Sequence, residues 1–389
     1  MKIAIITEKS DVSIGGAERS VFEMSSALIT RGTDVTILAA RGTSHTKYVK
    51  PLCEDIPGKR VSLSNFTTAL RKHFVQNQYD VIHSILPIDF ADVYQPRSGS
   101  CPAAIERNAA TYENSVAAAF KRATAFLNFR RSALGAAEKQ LCENPNGPIV
   151  AALSEYVAEQ FRHYYGLDCS RIAVVANGVK TDKNADPTEF AEVKKRILES
   201  YDSGVKPVFF LFAGHNFRRK GLKPLIKALH RAKAANAAPH LFVAGTDRPA
   251  SYYRLAKKLG IKQQISFLGK ASDIQNILAI SDVAVLPTFD DPASRFILEA
   301  LATGKPVITT RYNGAVDQFS GGRHGIVVDE PTDIDALAKA ILYFCDAANI
   351  QKASAAIAAD KLKEKVSMDR HAKELIELYK HIIAKRAGK

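Results

Sequence analysis

Three consecutive cations, Arg218, Arg219 and Lys220, stand between Gly214 and Gly221. An apolar run, 208–213, precedes them and a helical pattern follows, so they fall in a strand-to-helix loop. Cations there, beside glycines that let backbone N–H groups come close, suit a pyrophosphate; the alternative is a solvated basic turn. A second group follows the apolar run 283–287. Asp290 and Asp291 lie in the loop, Phe296 and Ile297 open the next helix, and Glu299 comes about a turn later. A carboxylate so placed can accept hydrogen bonds from the two hydroxyls of a ribose, and the first amides of the helix can face phosphate oxygens. By themselves these acids read better as a helix cap and an ordinary surface acid. A third group, Gly15-Gly16, comes directly before an amphipathic helix, where close backbone approach and the helix N-terminus favour a phosphate or sugar. It lacks the G-x-G-x-x-G spacing, which argues against a nicotinamide or flavin enzyme.

The elements that must position these groups are legible as short apolar runs at 2–7, 34–39, 81–85 and 149–153, then at 208–213, 240–244, 265–268, 283–287 and 307–310. Rich in Val and Ile and not alternating with polar residues, they resemble strands of parallel sheets covered on both faces. Helical patterns fall between them, at 17–31, 222–234, 252–259, 296–303 and 334–345. The fold class is therefore α/β, with two doubly wound, Rossmann-like domains. The expected boundaries are 1–185, 186–370 and a C-terminal helix, 371–389, packing back toward the first domain. Two such sheets facing across a cleft would make a two-sided site.

A composition of 46% hydrophobic and 24% charged residues excludes a disordered or fibrous chain. A net charge of +14 favours an anionic partner. Residues 352–389 hold ten basic and five acidic residues, read either as a solvated amphipathic helix or as a binding surface. No RRM, KH, helix-turn-helix or zinc-finger pattern is present, so nucleic acid is not the expected partner. Five scattered cysteines fit a reducing compartment. The short apolar start and the absence of any long apolar run lead to the expectation of a cytoplasmic protein without a signal peptide or membrane span.

Taken in order along the chain, the groups resemble the retaining glycosyltransferases of family 4, which have the GT-B fold. The family's E-x7-E element is similar to Asp291 through Glu299, followed by Ala302-Thr303-Gly304-Lys305-Pro306. Asn177-Gly178-Val179 resembles the turn near the interdomain link, Gly15-Gly16 the donor-phosphate loop, Arg219-Lys220 the basic pair before a glycine, and Gly269 the glycine against which the nucleotide base lies. Within the family, Phe217 to Gly221 and Ala256-Lys257-Lys258-Leu259-Gly260 are similar to the lipopolysaccharide-core glucosyltransferases.

The resemblance implies a metal-independent hexosyltransferase moving glucose from UDP-glucose to a glycan or glycolipid, with no cofactor besides the donor. Arg219 and Lys220, with Arg218, would neutralise the leaving diphosphate. Glu299 would grip the ribose and Asp291 the sugar hydroxyls, while His215, Phe296 and Ile297 complete the donor site. His83, at a strand end, would face the transferred sugar, and Asp89 and Asp92 are candidates to hold the acceptor hydroxyl. Two positions depart from the pattern: the family has glutamate where this chain has Asp291, and commonly arginine where it has His215. Aspartate leaves room for a nucleotide-sugar-binding protein without turnover, and the fold also serves sugar-nucleotide epimerases.

One further segment, 115–134, interleaves Phe120, Phe126, Leu127 and Phe129 with Lys121, Arg122, Arg130 and Arg131 and contains no acid. It reads as a surface for anionic lipid on the inner face of the cytoplasmic membrane, or else as a helix packed under its own domain.

Overall fold

The computed structural model describes residues 1–10, 16–42, 46–54, 60–182, 185–201, 206–234, 237–271 and 273–388. They form two units, Met1–Gly178 with Met368–Lys389, and Val179–Ser367. The chain crosses into the second unit before the polar stretch at 180–187 rather than within it. Val179 is already fully buried in the second unit's core, and its amide donates to the Val366 carbonyl at 2.9 Å.

The first unit is built on seven parallel strands: β1 (Lys2–Lys9), β2 (Asp34–Arg41), β3 (Val49–Pro51), β4 (Val81–Ser84), β5 (Val93–Tyr94), β6 (Ile149–Ala152) and β7 (Ile172–Val174). Their order is β3-β2-β1-β4-β5-β6-β7. Ile3, Ala4, Ile5 and Ile6 of β1 are all fully buried, so both faces of the sheet are covered and the strand reads as an unbroken apolar run. Six helices connect the strands: α1 (Gly16–Thr30), α2 (Leu63–Gln76), α3 (Cys101–Ala109), α4 (Ser115–Ala123), α5 (Phe129–Glu143) and α6 (Glu155–Tyr165).

The C-terminal helix, Met368–Ala387, packs against α1. Its buried residues, Met368, His371, Ala372, Leu375, Tyr379 and Ile382, recur every three or four positions and form one apolar stripe. The basic tail is thus not simply a solvated helix. Arg370 donates to the carbonyls of Ala176 and Asn177 at 2.7 Å each, Arg386 donates to the carbonyl of Asp80 at 3.0 Å, and Asp369 takes a two-pronged bond from Arg31. Arg370 and Arg386 fasten the helix at its two ends.

The second unit has six parallel strands: β8 (Val208–Ala213), β9 (Pro239–Ala244), β10 (Ile265–Gly269), β11 (Val283–Leu286), β12 (Val307–Thr310) and β13 (Gly325–Val328), in the order β10-β9-β8-β11-β12-β13. Among the described residues no helix is long and apolar enough to cross a membrane.

Candidate active site

Strand order reverses between β1 and β4 in the first sheet and between β8 and β11 in the second. Where order reverses, the loops leaving the carboxyl ends of the two strands run to opposite faces and open a crevice between them. In the second unit those loops carry Arg218, Arg219 and Lys220 after β8, and Asp290 and Asp291 after β11. Lys220 Nζ donates to Asp291 Oδ2 at 2.5 Å, with the two side chains only 11% and 14% exposed. An ammonium carries three hydrogens, so one directed at Asp291 leaves two for phosphate oxygens.

The loop after β8 is fixed by its own backbone. Asn216, at φ +59°, sits in the left-handed region that asparagine tolerates, and its Oδ1 accepts from the Arg219 amide at 3.1 Å. The Arg219 carbonyl accepts from the Phe289 amide at 2.8 Å and from Thr288 Oγ1 at 3.2 Å, which ties the two loops together. Arg219 Nε is buried and has no hydrogen-bond partner, an arrangement that suits an incoming anion. Arg218 is close enough to Tyr252 to oppose the upward push that burial and Asp247 give its phenol. His215 Nδ1 lies 2.9 Å from Thr246 Oγ1 in the loop after β9. Gly269 ends β10 at φ +72° and accepts from the Gly245 amide at 2.7 Å. A Cβ on Gly245 would lie 2.1 Å from the Gly214 carbonyl oxygen, so only glycine lets the ends of β8 and β9 approach this closely.

The helix Arg295–Ala302 follows the acidic loop. Ser294 caps it and takes the Ile297 amide at 3.5 Å, while the Phe296 side chain is buried in the core. Glu299 pairs with Arg295 at 3.3 Å, one turn back on the same helix.

The first-unit candidates are placed differently. Gly15 lies outside the described residues, and Gly16 is the first residue of α1. His83 is fully buried, its Nδ1 2.6 Å from the Tyr379 hydroxyl of the C-terminal helix. It anchors that helix and does not present a face to a sugar. Asp92 accepts from the Ile82 amide at 2.8 Å and pairs with Arg386. Those contacts put it at the amino ends of β4 and β5, opposite the crevice, so the acceptor role expected of it is not met. Asp89 forms an exposed pair with Arg71 at 2.7 Å.

Two family models match the chain: one described as Glycosyltransferase Family 4 over residues 14–183, the other as Glycosyl transferases group 1 over residues 193–361. The chain belongs to the family 4 glycosyltransferases of GT-B fold. The glycosyltransferase is 27% identical over 201 residues to the lipopolysaccharide glucosyltransferase WaaG of Escherichia coli, a match that takes in 50% of this chain and spans about half, 52%, of that relative. A crystal structure of WaaG superposes with a TM-score of 0.66 at 20% identity, covering 99% of this chain and 98% of that one. Anabaena HepE in complex with UDP-glucose superposes with a TM-score of 0.68 at 18% identity, covering 98% of this chain and 100% of that one.

Sequence reading missed the residues that brace the glycosyltransferase's loops. Asn313 is fully buried; its Oδ1 accepts from the amides of Ser294 and Ala315 at 3.2 and 3.1 Å, and its Nδ2 donates to Thr309 Oγ1 at 2.9 Å. Its one sequence signal is the Asn-Gly turn dipeptide it forms with Gly314. In the first unit Arg97 donates to Ser20 Oγ on α1 at 2.8 Å, bracing the helix that Gly16 opens.

Two buried histidines of the first unit predict an acid limit to its stability. Burial, reinforced by nearby Arg97, lowers His83 to about 3 and holds His371 well below its ordinary value. Both stay neutral in the folded chain while the unfolded chain takes up protons below about 6.5. Their contribution is therefore complete above pH 6.5 and is lost as the pH falls toward 3, by about 1.4 kcal/mol per pH unit for each histidine. Urea midpoints measured from pH 7.5 to 4.5 should fall, and His371→Asn should flatten the slope.

Proposed function

We propose that the glycosyltransferase moves glucose from UDP-glucose to a glycan or glycolipid such as lipopolysaccharide core, with retention at the anomeric carbon and without a metal ion. The observation that carries this reading is the Lys220–Asp291 pair at the carboxyl edge of β8 and β11, beside the unbonded Nε of Arg219. In the step proposed, the bond from the anomeric carbon to the β-phosphate oxygen breaks and the electron pair leaves with UDP. The acceptor hydroxyl attacks on the same face, and its proton passes to that phosphate oxygen. Lys220 and Arg219 oppose the growing negative charge, and Asp291 keeps the ammonium aimed while its second oxygen can take a sugar hydroxyl. The likeness to WaaG, a lipopolysaccharide glucosyltransferase, and to HepE, seen in complex with UDP-glucose, supports glucose and UDP as the starting choices.

A thermal-shift panel of UDP-, GDP- and ADP-sugars, followed by transfer with the best binder and NMR of the product's anomeric configuration, tests the reading. UDP-glucose should give the largest shift and an α-linked product. Donor hydrolysis with no new glycosidic bond would end the claim of transfer.

The reading extends to a membrane face. Helix α4 buries none of its residues, and Phe120, Phe126 and Phe129 are 69%, 68% and 86% exposed, so 115–134 is not packed under its own domain. Arg130 is taken by Glu8, but Lys121 and Arg122 stay exposed on α4. The chain should sediment with phosphatidylglycerol vesicles at low salt and be released as salt shortens the Debye length from about 10 Å to about 3 Å. Absence of sedimentation at low salt would remove the membrane from the proposal.

A further inference from the structure

The first unit holds a cavity of about 390 Å3 that no step of the proposed transfer uses. Its walls come from α3, α5, α6 and the turn Ala125–Leu127, and its volume falls in the range of about 300–1,000 Å3 typical of small-molecule sites. The far wall is rigid. Glu138, fully buried, accepts from the Tyr165 hydroxyl at 2.6 Å, the Cys101 amide at 2.7 Å and the Tyr94 hydroxyl at 2.7 Å, and both Tyr165 and Cys101 line the cavity.

Gly135 opens the cavity's floor. It lies inside α5, where glycine is a poor helix former, yet a Cβ there would make only ordinary contact, 3.6 Å from the Cys101 Cβ. No backbone strain or close approach requires glycine at this position; what the missing side chain leaves is room.

The mouth of the cavity joins the exposed apolar patch, because Phe126 belongs to both. Around it stand Arg122, Arg131 and Lys139; among the described residues the one acid paired with any of them is Glu143, 3.6 Å from Lys139. An apolar bore with a cationic rim, opening onto an apolar surface, is complementary to an anionic amphiphile. We propose that the cavity seats one acyl chain of an anionic membrane lipid, with the lipid phosphate on Arg122, Arg131 and Lys139. The proposal rests on the membrane side of the function above and sharpens it: binding is stoichiometric and reads chain length, which adsorption to a charged surface does not.

The test is calorimetric titration of the full chain with decyl and dodecyl phosphate, each below its micelle concentration. Saturable one-to-one binding is expected, tightening about fourfold per added methylene. Gly135→Leu, which fills the floor, should abolish it, and Arg122→Glu should weaken it about tenfold. Should Gly135→Leu fail to fold by thermal melting, Arg122→Glu, at an exposed position, carries the comparison. Several molecules per chain, no dependence on chain length, or affinity unchanged by Arg122→Glu would overturn the proposal. Dodecyl phosphate binding in a preparation that cannot transfer sugar to a soluble acceptor would support the cavity while overturning the proposed reaction.

Discussion

Lys220→Ala is expected to cut sugar transfer by about 100-fold or more, the effect of removing one well-placed charge from a transition state in which negative charge develops. The pairing adds a second consequence. With Lys220 gone, Asp291 keeps a carboxylate only 14% exposed and loses its cation, so the variant should also unfold at lower urea. The double variant Lys220→Ala/Asp291→Asn separates the two effects. Removing both charges should restore much of the stability and none of the transfer. Recovery of transfer in the double variant would reduce Lys220 to a partner that merely holds Asp291.

The next residue carries the second large effect. Gly221 lies at φ +81°, and a Cβ there would sit 1.9 Å from the Pro287 carbonyl oxygen, with backbone rather than a yielding side chain in the way. Gly221→Ala should force the loops after β8 and β11 apart. The left-handed conformation costs about 1–2 kcal/mol and the overlap about 1–3 kcal/mol more. Because Lys220 and Asp291 ride on those two loops, kcat should drop about 100-fold as well, the scale associated with a displacement of about 1 Å. Gly304→Ala is the control, since Gly304 has φ +75° but nothing within 4 Å of an added Cβ. Equal losses in urea midpoint and kcat for the two variants would assign the effect to φ alone and refute the contact with Pro287.

What the sequence made legible was local. β8 and β12 fall on the expected residues because parallel strands buried on both faces read as unbroken apolar runs. Val93–Tyr94 escaped notice because two apolar residues between Asp92 and Gln95 make no run. The charged loops were visible because glycines and strand ends mark them within a few positions. Their bracing was not. His83 meets Tyr379 across 296 positions, and Glu138 gathers partners 27, 37 and 44 positions away. A side-chain hydrogen bond between distant residues leaves no period in the sequence, so His83 read as a ligand-facing residue when it is an anchor, and Asp92 as an acceptor contact when it locks a strand.

The first unit is assembled from two stretches separated by the whole of the second. During synthesis the second unit is continuous and can close on itself, whereas the first lacks the helix that covers Met24 and Leu28 until residues 368–389 have left the ribosome. At about 5–20 residues per second, the interval from residue 179 to residue 387 is about 10–40 s. For that time an apolar face of the nascent first unit stands open, so a chain cut short before Met368 leaves that face uncovered even though the whole of the second unit has been made.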